Sequence, residues 1–215
     1  MVSAEDRKNQ LTSWAATHGR RYPWRETRDP WAVFVAEMLL RRTHADRVAD
    51  IYKSVVSQFP DAETLAGAPA ATLHSAVSSL GLRGRADQLR QAAQEIVRRF
   101  QSKVPVDPSQ LMDLPGVGPY VAGAVAAGAG GQDAILIDTN TVRVATRYFG
   151  VELQAKDVRR QKVVVEAVTA LFGGPAGPNE WWAVIDLAAL VCRPREPTCE
   201  ICPLRGTCEI GQRSH

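Results

Sequence analysis

The sequence predicts an all-α protein. Three observations carry that expectation. Apolar residues recur at helical spacing, helix-starting and helix-stopping residues punctuate them, and no stretch shows convincing strand alternation. Residues 3–18 open as a helix, with Ser3 and Asp6 as a capping pair and Leu11, Trp14, Ala15 and His18 on one face. His18 reads as a helix-end residue rather than a ligand. The basic, proline-broken loop GRRYPWRETRDP follows. Asp29 and Pro30 then start WAVFVAEMLLRRT, a helix apolar nearly all round and therefore expected to be buried. Helical patterns continue over 44–58, 61–67, 70–79 and 83–99, divided by Phe59-Pro60, Gly67, Pro69 and Gly81. Asp107 and Pro108 start a short helix over 107–113, and Val121, Ala122, Val125 and Ala126 mark the next. IDTNTVRVATRYFG reads as a helix capped by Asp138 or Thr139. Segments 156–171 and 179–191 complete the set, with a Gly/Pro linker at 173–178. AILI at 134–137 is too short to build a sheet.

Composition sets outer bounds. A chain of 215 residues can form a sizeable core or two small lobes around a cleft. A net charge of +3 permits an anionic partner without demanding one. The longest apolar run, around 121–131, is too short and too glycine-rich to span a bilayer. The charged start MVSAEDRKNQ has no apolar signal core. The expectation is a cytoplasmic protein with no membrane partner. All four cysteines fall in the last 24 residues, which argues against a disulfide framework for the whole chain.

The organising stretch is LPGVGPYVAGAVAAGAGGQDAILID, residues 114–138. Pro115, Gly116 and Gly118 make a tight hairpin between two helical patterns. A glycine hairpin opening a helix presents bare N–H groups to an anion, and Gly116 and Gly118 have no side chains to obstruct the approach. This is a helix–hairpin–helix signature for gripping nucleic-acid phosphate without reading sequence. Any αα-hairpin can use Pro and Gly in its turn, so the motif alone does not decide. Downstream, a carboxylate at a helix N-terminus such as Asp138 stays ionised and suits a nearby cation. Glu37 is anomalous inside an apolar helix. It either pairs with Arg41 at i+4 or lines a binding pocket.

The cysteines give the sharpest signal. Cys192, Cys199, Cys202 and Cys208 have the spacing C-x6-C-x2-C-x5-C. Four thiolates this close can surround one metal centre. Structural zinc usually takes two short chelating pairs, and only Cys199 and Cys202 form one, which favours a structural [4Fe–4S] cluster. Arg193 and Arg195, in the loop between the first two cysteines, are candidate phosphate contacts.

Hairpin, downstream aspartate and cysteine spacing together resemble the endonuclease III superfamily of DNA glycosylases. The resemblance runs from PWRETRDPWAVFVAEMLLRRT to the last cysteine and includes GLRGRADQLRQAA. It implies a two-lobed helix–hairpin–helix glycosylase fold with a C-terminal iron–sulfur cluster loop. Residues 22–132 would form a central helical barrel, and 1–21 plus 133–215 the cluster domain. Bifunctional members carry lysine after the Gly118-Pro119 pair and cut the backbone through a Schiff base; this chain has Tyr120. Adenine-removing members typically carry serine there and a long C-terminal domain, whereas this chain ends seven residues after Cys208. LPGVGPYVA and LLRRT look like the thymine–guanine mismatch branch.

That resemblance implies a monofunctional enzyme of base excision repair, a nucleoid-associated monomer removing thymine, and uracil, mispaired with guanine in double-stranded DNA. Asp138 would stabilise the oxocarbenium ion and help orient water. Glu37 would contact the flipped base or activate water, and Tyr120 would line the base pocket, where it could also simply pack. Arg42 and Leu82 would fill the hole left by the flipped nucleotide, Arg42 on the widowed guanine and Leu82 as a wedge. A phosphate contact for Arg42 and plain loop packing for Leu82 stand beside those roles. Adenine excision opposite guanine or 8-oxoguanine, and a non-catalytic DNA-binding iron–sulfur protein, are the rival readings.

Overall fold

The computed structural model describes residues 2–81, 83–153, 159 and 161–213. They divide into two compact units, Met1–Arg20 with Asp133–His215, and Arg21–Gln132. The described residues are helical, and their only strand-like feature is an isolated bridge between Ala134 and Ala176. None of their helices is long and apolar enough to cross a membrane.

The unit from Arg21 to Gln132 is built around α2, Pro30–Leu40. Asp29 caps it by accepting from the N–H groups of Trp31 and Ala32, and every residue from Trp31 to Leu39 is buried. Six further helices complete this unit among the described residues. They are α3 (Ala45–Gln58), α4 (Ala62–Gly67), α5 (Ala70–Ala76), α6 (Arg83–Phe100), α7 (Pro108–Met112) and α8 (Pro119–Gly128), and a short Pro23–Arg25 turn precedes α2. The expected 70–79 helix stops at Ala76 and resumes as a tight turn over Ser78–Leu80, which ends at Gly81 with φ +73°. α6 turns Ala86, Leu89, Ala93 and Ile96 inward at helical spacing. Small residues let α8 lie close to α2: a Cβ on Gly128 would sit 3.1 Å from Val33 Cγ1.

The other unit pairs α1 (Ala4–His18) with α10 (Lys162–Phe172) and α11 (Pro178–Leu190), and packs α9 (Thr139–Phe149) on α10, α11 and α12 (Glu209–Arg213). Ser3 and Asp6 form the expected capping box on α1. The start of the expected 156–171 helix lies largely outside the described residues. Arg7 is buried, and its guanidinium donates to the carbonyls of Ala170 (2.7 Å) and Leu171 (2.9 Å), a cation placed at the C-terminal end of α10. Asp186, 1 % exposed, accepts from Arg20 Nε and from its backbone N–H, each at 2.8 Å, so its buried charge is paired.

Candidate active site and cysteine loop

The hairpin follows from local chemistry. Asp107 accepts from the N–H groups of Ser109 (2.9 Å) and Gln110 (3.1 Å) and starts α7. The Ser109 hydroxyl first, and then the Gln110 N–H, hold its carboxyl below the usual carboxylate range. Leu111 and Leu114 are buried and anchor the turn, which is closed by Leu114 N–H to Leu111 O (3.0 Å) and Val117 N–H to Leu114 O (3.1 Å). Gly116 has φ +77°, and a Cβ there would lie 3.0 Å from both Arg41 Nη1 and Gln88 Oε1. Its glycine is demanded by the protein itself. Gly118 differs: φ is −108°, and a Cβ would meet no protein atom within 4 Å. Among the described residues, the N–H groups of Gly116 and Gly118 donate to no protein acceptor. Gly118 opens α8 without any side-chain cap.

Other residues singled out in the sequence belong to the same unit. Glu37 is 8 % exposed, on the buried helix α2. Arg41 donates from Nη1 to Gln88 Oε1 at 2.8 Å. Tyr120, half-buried in the first turn of α8, packs against the edge of the apolar core. Arg42 is exposed just after α2 with φ +54°, a left-handed conformation that side-chain-bearing residues seldom adopt. Leu82 lies outside the described residues.

Asp138 belongs to the other unit and is the N-cap of α9. Its Oδ1 accepts from the N–H groups of Asn140 (2.8 Å) and Thr141 (2.7 Å), and its Oδ2 from Asn140 Nδ2 (2.9 Å). Thr141 Oγ1 accepts from the Asp138 N–H at 2.9 Å and completes a capping box. The carboxylate is thus half-buried and fixed at both oxygens. Asn140 is itself held: its Oδ1 accepts from Arg143 Nη2 at 3.1 Å. Arg143 also donates to the carbonyls of Ala188 (2.9 Å) and Cys192 (2.8 Å). Burial lowers the pKa of Arg143, while the charges of Cys192 and Asp138 support its cationic form. Sequence reasoning missed Asn140 and Arg143. An amide two residues after an N-cap aspartate is a local signal that could have revealed the first.

Cys192, Cys199, Cys202 and Cys208 line one cavity together with Arg147 and Arg205, and none of the four is in a disulfide. Among the described residues, no three His, Cys, Asp or Glu side chains close on a single-ion position. Arg147 Nη1 lies 3.5 Å from Cys192 Sγ, and its guanidinium donates to the carbonyls of Arg193 (2.7 Å) and Pro194 (2.9 Å). The Gly211 N–H points at Cys208 Sγ at 3.4 Å. Burial, with the neighbouring cysteines adding to it, pushes the Cys202 thiol up to about 11, and burial raises Cys208 in the same direction. Arg193 and Arg195 are exposed on the loop, and Arg193 Nη2 donates to Glu196 O at 3.1 Å.

The model of the family described as "HhH-GPD superfamily base excision DNA repair protein" matches residues 35–167. A thymine/uracil-DNA glycosylase of Methanothermobacter thermautotrophicus is 34% identical over 204 residues, covering 94% of this chain and 91% of that protein. An adenine DNA glycosylase of Mycobacterium tuberculosis is 36% identical over 197 residues, covering 90% of this chain and 64% of that protein. The solved structure of a thermostable thymine-DNA glycosylase superposes with a TM-score of 0.88 at 31% identity, covering 98% of this chain and 97% of that one.

Proposed function

Because the chain belongs to the HhH-GPD superfamily of base excision DNA repair proteins, we propose that it is a monofunctional DNA glycosylase hydrolysing the N-glycosidic bond of thymine, and of uracil, mispaired with guanine. The observation that carries this reading is the fixed carboxylate of Asp138. Both oxygens are held by α9 and Asn140, so little reorganisation is needed when positive charge develops on a sugar beside it.

The target bond is stacked within the duplex, so the nucleotide must first be flipped out. Flipping costs a few kcal/mol, least at a mismatch, and that difference favours G·T and G·U over normal pairs. The N–H groups of Gly116 and Gly118 take a phosphate oxygen, with no base contact in the process. The exposed Arg42 hydrogen-bonds the widowed guanine, whose O6 accepts from a guanidinium. Leu82 is assigned the wedge. Asp138 then stabilises the oxocarbenium-like sugar as the base departs and orients or deprotonates the attacking water. Glu37 contacts the base or activates that water, and Tyr120 lines the base pocket. Tyr120 offers no amine for a Schiff base, so the product strand stays intact at the abasic site.

Cys192, Cys199, Cys202 and Cys208 would hold a [4Fe–4S] cluster. The fit rests on four thiols around one cavity, on Arg147 beside a sulfur, and on an N–H aimed at another. When bound, such a cluster cross-links the loop that carries Arg193 and Arg195, which are assigned to phosphate.

A panel of duplexes tests the reading. Release of T and U opposite G, with cleavage of the strand only after alkali, is expected. Release of adenine opposite guanine or 8-oxoguanine instead would favour the adenine branch, and borohydride trapping of a protein–DNA adduct would contradict the monofunctional assignment.

A further inference from the structure

The turn that carries Arg42 is held from outside. Arg85 on α6 donates from Nη1 to Leu39 O at 3.0 Å, at the C-terminal end of α2, and also to Thr43 Oγ1. Those two acceptors flank residues 40–42. Thr43 N–H closes the turn on Leu40 O at 3.1 Å. Gln88, three residues further along the same helix, accepts from Arg41 at 2.8 Å. The Arg41–Gln88 pair is also what a Cβ on Gly116 would strike. One face of α6 therefore touches both the turn bearing Arg42 and the hairpin. A left-handed arginine is costly on its own and persists only where its surroundings over-determine it. Arg85 is half-buried, and burial together with the charges of Arg41 and Arg42 lowers its pKa. Three guanidinium groups kept this close repel one another, so their separate acceptors must do the ordering.

We propose that Arg85 and Gln88 are positioning residues for opposite-base recognition: they fix the Arg42 turn against the Gly116 hairpin, so that the choice of guanine is set by α6 as well as by Arg42 itself. The inference rests on the assignment of Arg42 to the widowed guanine. It adds two specificity-determining residues that touch no DNA base.

The test is binding of the full chain to duplexes carrying a non-cleavable tetrahydrofuran abasic site opposite guanine or adenine. This readout does not depend on catalysis. Arg85→Lys keeps the charge but cannot reproduce the planar donor group. Thr43→Val removes one of the two Arg85 bonds from its other end and guards against misfolding of the first variant. Each should reduce the guanine-over-adenine preference by about tenfold, the size expected for coupled neighbours. Binding to undamaged duplex and the unfolding transition should stay close to native. In an Arg42→Ala background neither substitution should reduce the preference further. If both variants keep the native preference while Arg42→Ala loses it, the positioning role is overturned and the Arg42 assignment survives. If Arg42→Ala keeps the preference, the Arg42 assignment fails, and this inference fails with it. Equal losses on both opposite bases, additive with Arg42→Ala, would mark a merely structural role and also overturn the proposal.

Discussion

Two helix starts in this molecule meet the same electrostatic problem in opposite ways. α8 begins at Gly118 with no side-chain cap, and the neighbouring glycine N–H groups donate to no described acceptor. α9 begins at Asp138, which fills its own N-terminus: Oδ1 takes two N–H groups and Oδ2 takes the Asn140 amide. Every helix N-terminus carries unsatisfied donors and a partial positive charge. Left open, as at α8, it can take an anion from outside, which in the proposed function is a DNA phosphate. Closed by its own carboxylate, as at α9, it becomes a means of holding a negative charge rigidly for use against a cation. In the proposed function, the difference of one residue type, glycine or aspartate, separates a grip from a reactive group.

Asp138→Asn breaks this contrast most severely. Asparagine is as good an N-cap as aspartate, so the unfolding transition should stay close to native while the charge is lost. Excision of T and U opposite G should fall by at least about a hundredfold in single-turnover assays, with mismatch binding retained. Near-native turnover would remove Asp138 from the chemistry.

The two hairpin glycines sharpen the comparison next. Gly118→Ala has room and an ordinary φ, so it should fold normally. Its methyl group would stand where the proposed phosphate contact is made, and duplex affinity should drop by about tenfold or more, uniformly across sequences, for loss of charge-assisted bonds. Gly116→Ala should do the reverse. Its positive φ and the Arg41–Gln88 pair predict a loss of about 1–3 kcal/mol in denaturant unfolding. Equal effects of the two substitutions would mean that Gly118 is not kept for an external partner.

A third helix start gives a smaller effect. Asp107 caps α7, and its carboxyl sits below the usual range because the folded state hydrogen-bonds the anion. A depressed folded pKa contributes stability that is fully present above the unfolded value of about 3.9 and is lost as pH falls through the folded value. Asp107→Ala should therefore melt slightly lower than native at neutral pH, and the two melting curves should converge in acid. A gap that persists in acid would assign the effect to something other than the carboxylate.

What could be read from the sequence was whatever the chain builds locally. Asp29, Asp107 and Asp138 cap helices through N–H groups two or three residues away, and Gly116 sits in a turn closed over three residues, so short spacing suffices. The cysteines reveal themselves by spacing alone. What stayed hidden joins distant parts of the chain. Arg85 reaches Leu39 across 46 residues and Arg143 reaches the Cys192 carbonyl across 49. The left-handed backbone of Arg42 likewise follows from tertiary contacts, since nothing in RRTHAD demands it. The expected 70–79 helix failed for a similar reason: Val77 is buried with the helix already ended at Ala76, and the chain tightens toward Gly81.

The most direct measurement is a crystal structure of the chain on a duplex holding a non-hydrolysable thymidine analogue opposite guanine. The account predicts an Asp138 carboxylate oxygen within about 3.5 Å of the sugar carbon that bears the base, or of a single water poised to attack it. A flipped nucleotide seated with its sugar beyond reach of both Asp138 oxygens would contradict the account.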